Sequence, residues 1–187
     1  TALTLEVWAD LDPNAGLQVV FSTRCGILAT GGGNIYASLF EGCDGEAPRR
    51  YAGPPVAMTD GWHHIALVYP DLTSVEIYLD GALVATSALA EDLASNEIAG
   101  AFGAVDDVTL GAQSLFSDVS LAEARVSGSA RYVAPFVPEP DFAVDADTLA
   151  LYDFREGSGT IVGDRGPLAL DGTILGGATW ASFCYQP

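Results

Sequence analysis

The chain has 187 residues, 49% of them hydrophobic and only 17% charged, which excludes disorder and supplies core enough to fold without metal or disulfide staples. Its 25 acidic side chains stand against seven arginines and no lysine, a formal net charge of −18. Such a charge repels phosphate backbones and anionic lipid, so no nucleic acid and no membrane surface is expected as a partner.

In chain order, strands are predicted over Leu3–Trp8, Leu17–Thr23 and Asn34–Phe40, with Gly31-Gly-Gly-Asn34 as a loose hairpin loop. Glu41–Pro55 reads as a polar, Pro- and Gly-rich excursion. The clearest run is His63–Tyr69, Ser74–Leu79 and Ala82–Ser87. Val75, Ile77 and Leu79 alternate with Glu76, Tyr78 and Asp80, the period of a half-buried strand. Asp80-Gly81 supplies the positive-φ pair of a type I′ turn. That turn sets Leu79 opposite Ala82, Ile77 opposite Val84 and Val75 opposite Thr86. Leu89–Asn96 and Ser129–Tyr132 read as short helical turns. Further strands are Asp107–Leu110, Leu121–Ser127, Thr148–Phe154, Gly172–Leu175 and Thr179–Phe183.

Pro135, Pro138 and Pro140 make a stiff, extended crossing before the last stretch of chain. Too few strands follow it to close a core alone. The expectation is therefore one domain over 1–187, with residues 141–187 completing the same sandwich. No apolar run approaches the roughly 20 residues of a membrane-spanning helix, so no membrane insertion is expected. Thr1 is not followed by the basic start of a signal peptide, so any export signal is expected outside this sequence.

These residues carry a family resemblance. Asp60-Gly-Trp-His-His-Ile-Ala-Leu-Val-Tyr69 with Ile77-Tyr-Leu-Asp-Gly81 resembles the central motif of laminin-G-like members of the concanavalin A-like lectin/glucanase jelly rolls. Thr4–Trp8 resembles the strand before it. Val108–Ala112 and Leu121–Tyr132 are similar to later strands and a short helix. Leu149–Gly159, with Asp164, Asp171-Gly172 and Gly177–Trp180, resembles a segment that often opens such modules; here it comes last, as in some bacterial relatives. The resemblance implies an all-β fold, an antiparallel two-sheet β-sandwich with six or seven strands per sheet and a concave face. It also implies a secreted or cell-surface location and carbohydrate or protein binding, often with calcium. Fold alone carries none of these functions.

The chemistry is sparse. Catalytic relatives align carboxylates at i, i+2 and i+4 of one strand. The nearest segment here, Glu41-Gly-Cys-Asp-Gly-Glu46, puts Glu41 on the opposite parity to Asp44 and Glu46 and carries two glycines. No enzyme is expected from it. His63 and His64 are strand neighbours that face opposite sides and cannot chelate one ion together. Calcium, the cofactor the resemblance implies, has its best ligands in Asp164 and Asp171, with Asp171 alternatively a hairpin-turn residue. A pentraxin-like loop offers only Gln113 and Asp118, and Asp106-Asp107 is weaker. Arg49, Arg50 and Tyr51 form the best surface contact for a carboxylate or sulfate on a glycan, the alternative being local pairing with Glu46 or Asp44. Trp8, Trp62 and Trp180 sit on predicted strands and read as core residues, the alternative being a sugar-stacking platform. Cys25 and Cys43 either bridge as a disulfide in an oxidising compartment or stay as buried thiols, leaving Cys184 over. The expected function is a non-catalytic recognition module for glycan. The alternative is a structural, adhesion or self-associating unit beside other domains of a larger chain, with a divergent glycoside hydrolase third.

Overall fold

The computed structural model describes residues 2–16, 18–23, 26–31, 33–40, 49–51, 56–71, 73–88, 100–102, 104–105, 115–116 and 118–181; of these, 23, 26–31, 36–40, 49–51, 56, 100–102, 104–105 and 115–116 are described by backbone alone. Strand β1 (Leu3–Leu11) shows how the sequence builds the fold. Its Leu5, Val7, Ala9 and Leu11 point one way into the core, while Thr4, Glu6 and Trp8 point the other and are buried as well.

Around β1 a six-stranded antiparallel sheet runs in the order β14 (Thr148–Tyr152), β13 (Ser120–Ser127), β1, β7 (Gly61–Tyr69), β8 (Ser74–Leu79), β9 (Ala82–Ala88). The second sheet has the order β10 (Gly100–Phe102), β2 (Gln18–Thr23), β3 (Gly26–Gly31), β4 (Asn34–Phe40), β5 (Arg49–Tyr51), with β6 (Val56–Ala57) also paired to β4. Two small pairs remain, β11 (Ala104–Val105) with β12 (Leu115–Phe116) and β15 (Ile161–Val162) with β16 (Gly172–Thr173). The sheets stack through one core in which Val7, Ile65 and Ile77 of the first meet Val20, Phe21 and Ile35 of the second. The fold is the expected all-β sandwich.

Asp80 (φ 50°) and Gly81 (φ 79°) make the predicted turn, and Leu79 pairs with Ala82. Beyond that the register differs from expectation. A bulge at Ile77/Tyr78 pairs Ile77 with Ala85 and Val75 with Ser87, so small Ala85 enters the core while Leu83 stays exposed. No helical turn forms at Ser129–Tyr132. That stretch starts an extended crossing, up to Asp145, over the outer face of the six-stranded sheet, where Tyr132 and Phe136 stack at 3.5 Å and cover Ala66, Val68 and Tyr78. Burial there pushes the Tyr78 phenol up to about 12. Strand β3 was not anticipated. The strand expected at Thr179–Phe183 is absent over its described residues 179–181, and Gly172–Leu175 shrinks to β16. Asp107–Leu110 and Leu89–Asn96 lie outside the described residues. In the tail, β14 pairs with β13, so this part of residues 141–187 extends the larger sheet.

The turn at Gly81 is fastened to the crossing. Phe136 N–H donates to the Gly81 carbonyl at 3.0 Å, and a Cβ at Gly81 would lie 1.9 Å from the Phe136 carbonyl oxygen. Gly81→Ala therefore meets both an unfavourable φ and a backbone clash. It is expected to lower stability by about 2–4 kcal/mol in urea unfolding. An unchanged midpoint would mean the crossing does not dock on this turn.

Candidate functional site

The two adjacent histidines organise the ionisable groups of the larger sheet. As alternation dictates, they face opposite ways from β7, and each finds a carboxylate. His64, fully buried, places Nε2 3.1 Å from Glu6 Oε2. Glu6 also accepts from Arg125 Nε (2.7 Å, to Oε1) and from the Tyr132 hydroxyl (2.6 Å, to Oε2). Burial alone would push the Glu6 carboxyl up, but the His64 hydrogen bond and the Arg125 charge bring it below its ordinary value. The same burial, with Glu6 beside it, pushes the Tyr132 phenol up. Trp8, Phe136, Phe142 and Tyr132 ring His64 at centroid distances of 5.3–6.1 Å, and its Nδ1 has no hydrogen-bond partner among the described residues. The side chains of Glu6 and His64 have no exposed surface.

His63 lies nearer the surface. Its Nδ1 donates to Asp80 Oδ2 at 2.7 Å, and its Nε2 sits 3.2 Å from Thr59 Oγ1. The hydroxyl–imidazole–carboxylate order invites a nucleophilic reading, but Nε2 is also 3.0 Å from the Thr59 carbonyl oxygen. A carbonyl only accepts, so while His63 is charged both ring nitrogens donate, Nδ1 to Asp80 and Nε2 to Thr59, and Nε2 takes no proton from the hydroxyl. The Asp80 hydrogen bond raises the His63 pKa against the opposing effect of burial. A raised histidine stabilises the fold fully below its unfolded pKa and loses that contribution as pH rises through the folded value. Stability is therefore expected to fall as pH rises above about 6.5. His63→Gln should flatten this dependence; a wild-type melting temperature with no slope there would show that His63 does not couple to folding.

A third cluster lies at the β13 end. Buried Glu123 accepts from Phe142 N–H at 2.6 Å and from Arg155 Nη2 at 3.1 Å, and Arg155 also reaches Asp141 at 2.6 Å. Burial raises the Glu123 pKa, and Asp141 adds to it. Arg165 meets Asp153 at 2.7 Å, and Arg131 meets Asp145 through two hydrogen bonds. Sequence reasoning missed Glu6 and Glu123 because a lone acid in an alternating strand reads as solvent-facing. The available signal was Arg125, an opposite charge at the same parity on another strand.

The predicted metal ligands meet, but as turn-formers. Asp164 Oδ1 accepts from Leu151 N–H (2.8 Å) and Gly166 N–H (2.7 Å), its Oδ2 from Leu170 N–H (2.8 Å), and Asp171 Oδ1 accepts from Asp164 N–H (3.0 Å). Oxygens committed to backbone donors do not fit a calcium shell, which needs six to eight oxygens turned inward. Among the described residues no group of three or more His, Cys, Asp or Glu could hold a metal ion. Asp118 offers its carbonyl to the Gln18 side chain at 2.6 Å. Arg49, Arg50 and Tyr51 are not in a loop: their backbone forms β5, at the margin of the second sheet and paired to Phe40, Leu39 and Ser38. Their side chains lie outside the described residues, as do Cys25, Cys43, Cys184, Gln113, Asp106, Asp107 and Glu41–Glu46. Trp8 is core, its Nε1–H donating to the Glu139 carbonyl at 3.0 Å; Trp62 is half-buried against it. Trp180 lies off any strand and donates to the Gly159 carbonyl at 2.9 Å.

Residues 1–133 match a laminin G family model described as the concanavalin A-like lectin/glucanases superfamily. No curated protein gives a significant match. Among solved structures, a candidate carbohydrate-binding protein from Bacteroides ovatus is similar over 92% of this chain and 51% of its own, with 19% identity and a TM-score of 0.61. This chain thus spans about half the length of that protein. A heptameric SAP-like pentraxin from Limulus polyphemus is similar over 70% of this chain and 65% of its own, at 17% identity and a TM-score of 0.48. At these identities the likeness is one of fold.

Proposed function

The chain belongs to the concanavalin A-like lectin/glucanases superfamily, and from that membership we propose that it is a non-catalytic recognition module, secreted or attached to a cell surface, that binds glycan. One observation carries the non-catalytic part. A glycoside hydrolase needs two carboxyl groups open to the scissile bond, whereas the two acids buried on the larger sheet, Glu6 and Glu123, are closed beneath the crossing and bound to partners there. Recognition is then assigned to the margin of the second sheet, where β5 ends the strand order. Arg49, Arg50 and Tyr51, whose backbone forms β5, supply the residue types for this: an arginine suits a carboxylate or sulfate, and a tyrosine ring suits stacking on a sugar.

The test is a glycan array containing uronic acid and sulfated sugars, read with calcium and with EDTA. Binding to acidic glycans in both conditions is expected, with a loss of about tenfold or more in the Arg49→Ala/Arg50→Ala double variant. An array with no glycan bound overturns the reading, as does turnover of any member of a β-glucan panel.

A further inference from the structure

The two edges of the six-stranded sheet are finished differently. An edge strand presents a row of N–H and C=O groups ready to pair with another chain. At β14 the row is sealed: Leu151 N–H donates to Asp164 Oδ1, and the Leu151 carbonyl accepts from Arg165 N–H, both at 2.8 Å. At the opposite edge, among the described residues, β9 pairs on one side only, with β8. Ala82–Ala88 reads ALVATSA, without charge or proline; the bulge that leaves Val84 opposite no residue of β8 is the one edge-blunting device it carries among the described residues.

Beside this edge lies exposed aliphatic surface. Leu83 pairs with Tyr78 and so shares its face of the sheet, and the Tyr78 ring is 5.7 Å from Phe136 of the crossing. The same face therefore carries Leu83, 43% exposed, and the crossing over that face carries Val133 (83%) and Val137 (90%) beside Tyr132 and Phe136. Its charged neighbours are acidic: Glu76 on β8 and, on the crossing, Glu139, which is exposed and 3.6 Å from Arg125 at its nearest, while the Asp80 carboxylate at the turn is taken up by His63. The nearby arginines, Arg125 and Arg131, are held by Glu6 and Asp145.

We propose that the β9 edge accepts an extended peptide segment of a partner protein as an added strand, with aliphatic side chains against Leu83, Val133 and Val137 and with Lys or Arg at its ends facing the acidic rim. Main-chain hydrogen bonds supply the affinity and alternate side chains the selectivity. Charge selects the occupant: a second copy of this chain brings another −18, whereas a basic-ended strand complements the rim. This site is separate from the glycan reading, since β9 and β5 belong to different sheets, and either can fail without the other.

The probe is a fluorescein-labelled Lys-Val-Thr-Val-Thr-Val-Lys peptide, titrated into the full chain by fluorescence anisotropy beside a counterpart with Glu at both ends. The basic peptide is expected to bind about tenfold or more tightly than the acidic one, with the difference shrinking as salt rises. Leu83→Lys and Val137→Ser change exposed side chains and should leave the melting temperature in place while each weakens the basic peptide several-fold. Equal affinity for the two peptides, no binding of either, or unchanged affinity in both variants would each overturn the proposal. So would a dimer by light scattering that Leu83→Lys dissociates, because the second copy would then be the occupant.

Discussion

Replacing Glu6 by leucine is expected to cost about 3–5 kcal/mol, the penalty of stranding a buried opposite charge. Glu6 stands on β1, third from the β14 edge of the sheet, and its side chain has no exposed surface. Its loss leaves the Arg125 guanidinium with the Ala143 carbonyl at 3.0 Å and a distant Glu139 carboxylate at 3.6 Å, and leaves the Tyr132 hydroxyl and His64 Nε2 without their acceptor. Glu6→Gln keeps an acceptor oxygen and should lose less. Replacing Glu6 and Arg125 together by apolar residues should recover part of the loss, since the pair's own net contribution is small beside the cost of breaking it. Because the Glu6 pKa is lowered in the fold, the stability it contributes is present above the unfolded value and is lost as pH falls through the folded one. Urea unfolding of the three variants, followed by circular dichroism at neutral and acid pH, measures each of these differences. A Glu6→Leu protein as stable as the parent would mean that the crossing is held by its aromatic packing alone.

The strands that could be read from sequence are those whose signal is local. Asp80-Gly81 can only be a tight turn, and the apolar alternation on β7 and β8 leaves one way to pair them. The slip at Ile77/Tyr78 was not legible, because it reflects Tyr78 settling under Phe136, some sixty residues away in sequence. The burial of Thr4 and Glu6 beside Trp8 on the second face of β1 was not legible for the same reason. Thr4, Glu6 and Trp8 alternate with apolar residues as a solvent face would, and only the crossing, which a local pattern does not foresee, turns that face into interior. Strand β3 escaped because glycines at both ends of Gly26–Gly31 read as loop. The site was less legible still. An aspartate that binds calcium and one that caps backbone N–H groups are the same residue type; which role Asp164 takes depends on Leu151 N–H arriving from β14. Opposite facing of His63 and His64 followed from strand geometry, but their carboxylate partners did not, since Glu6 and Asp80 reach them through pairing across strands.

Ending the chain at Pro140 is expected to abolish cooperative folding of what remains. The cut removes β14, so β13 becomes an edge along residues that the sandwich buries, among them Ala124 and Arg125. It also unbinds three charges at once. Glu123 loses the Phe142 N–H and Arg155, Arg131 loses Asp145, and Arg125 loses the Ala143 carbonyl together with the Phe142 ring 4.7 Å from its guanidinium carbon. Glu123, buried and left without either partner, alone costs several kcal/mol, while Arg125 keeps Glu6. With the edge opened along β13, the stranded Glu123 and the weakened Arg125 and Arg131 take up most of the roughly 5–15 kcal/mol that holds a domain folded. Residues 1–140 should therefore express insolubly, or bind a hydrophobic dye and melt without a transition, while the full chain melts in one step by calorimetry. Separation of the two parts by cost alone predicts that adding residues 141–187 as a separate peptide restores neither signal at micromolar concentration, because the association entropy must then be met as well. A soluble 1–140 fragment with a sharp calorimetric peak would show instead that β14 is an accessory strand and that the charges beneath the crossing are satisfied without it.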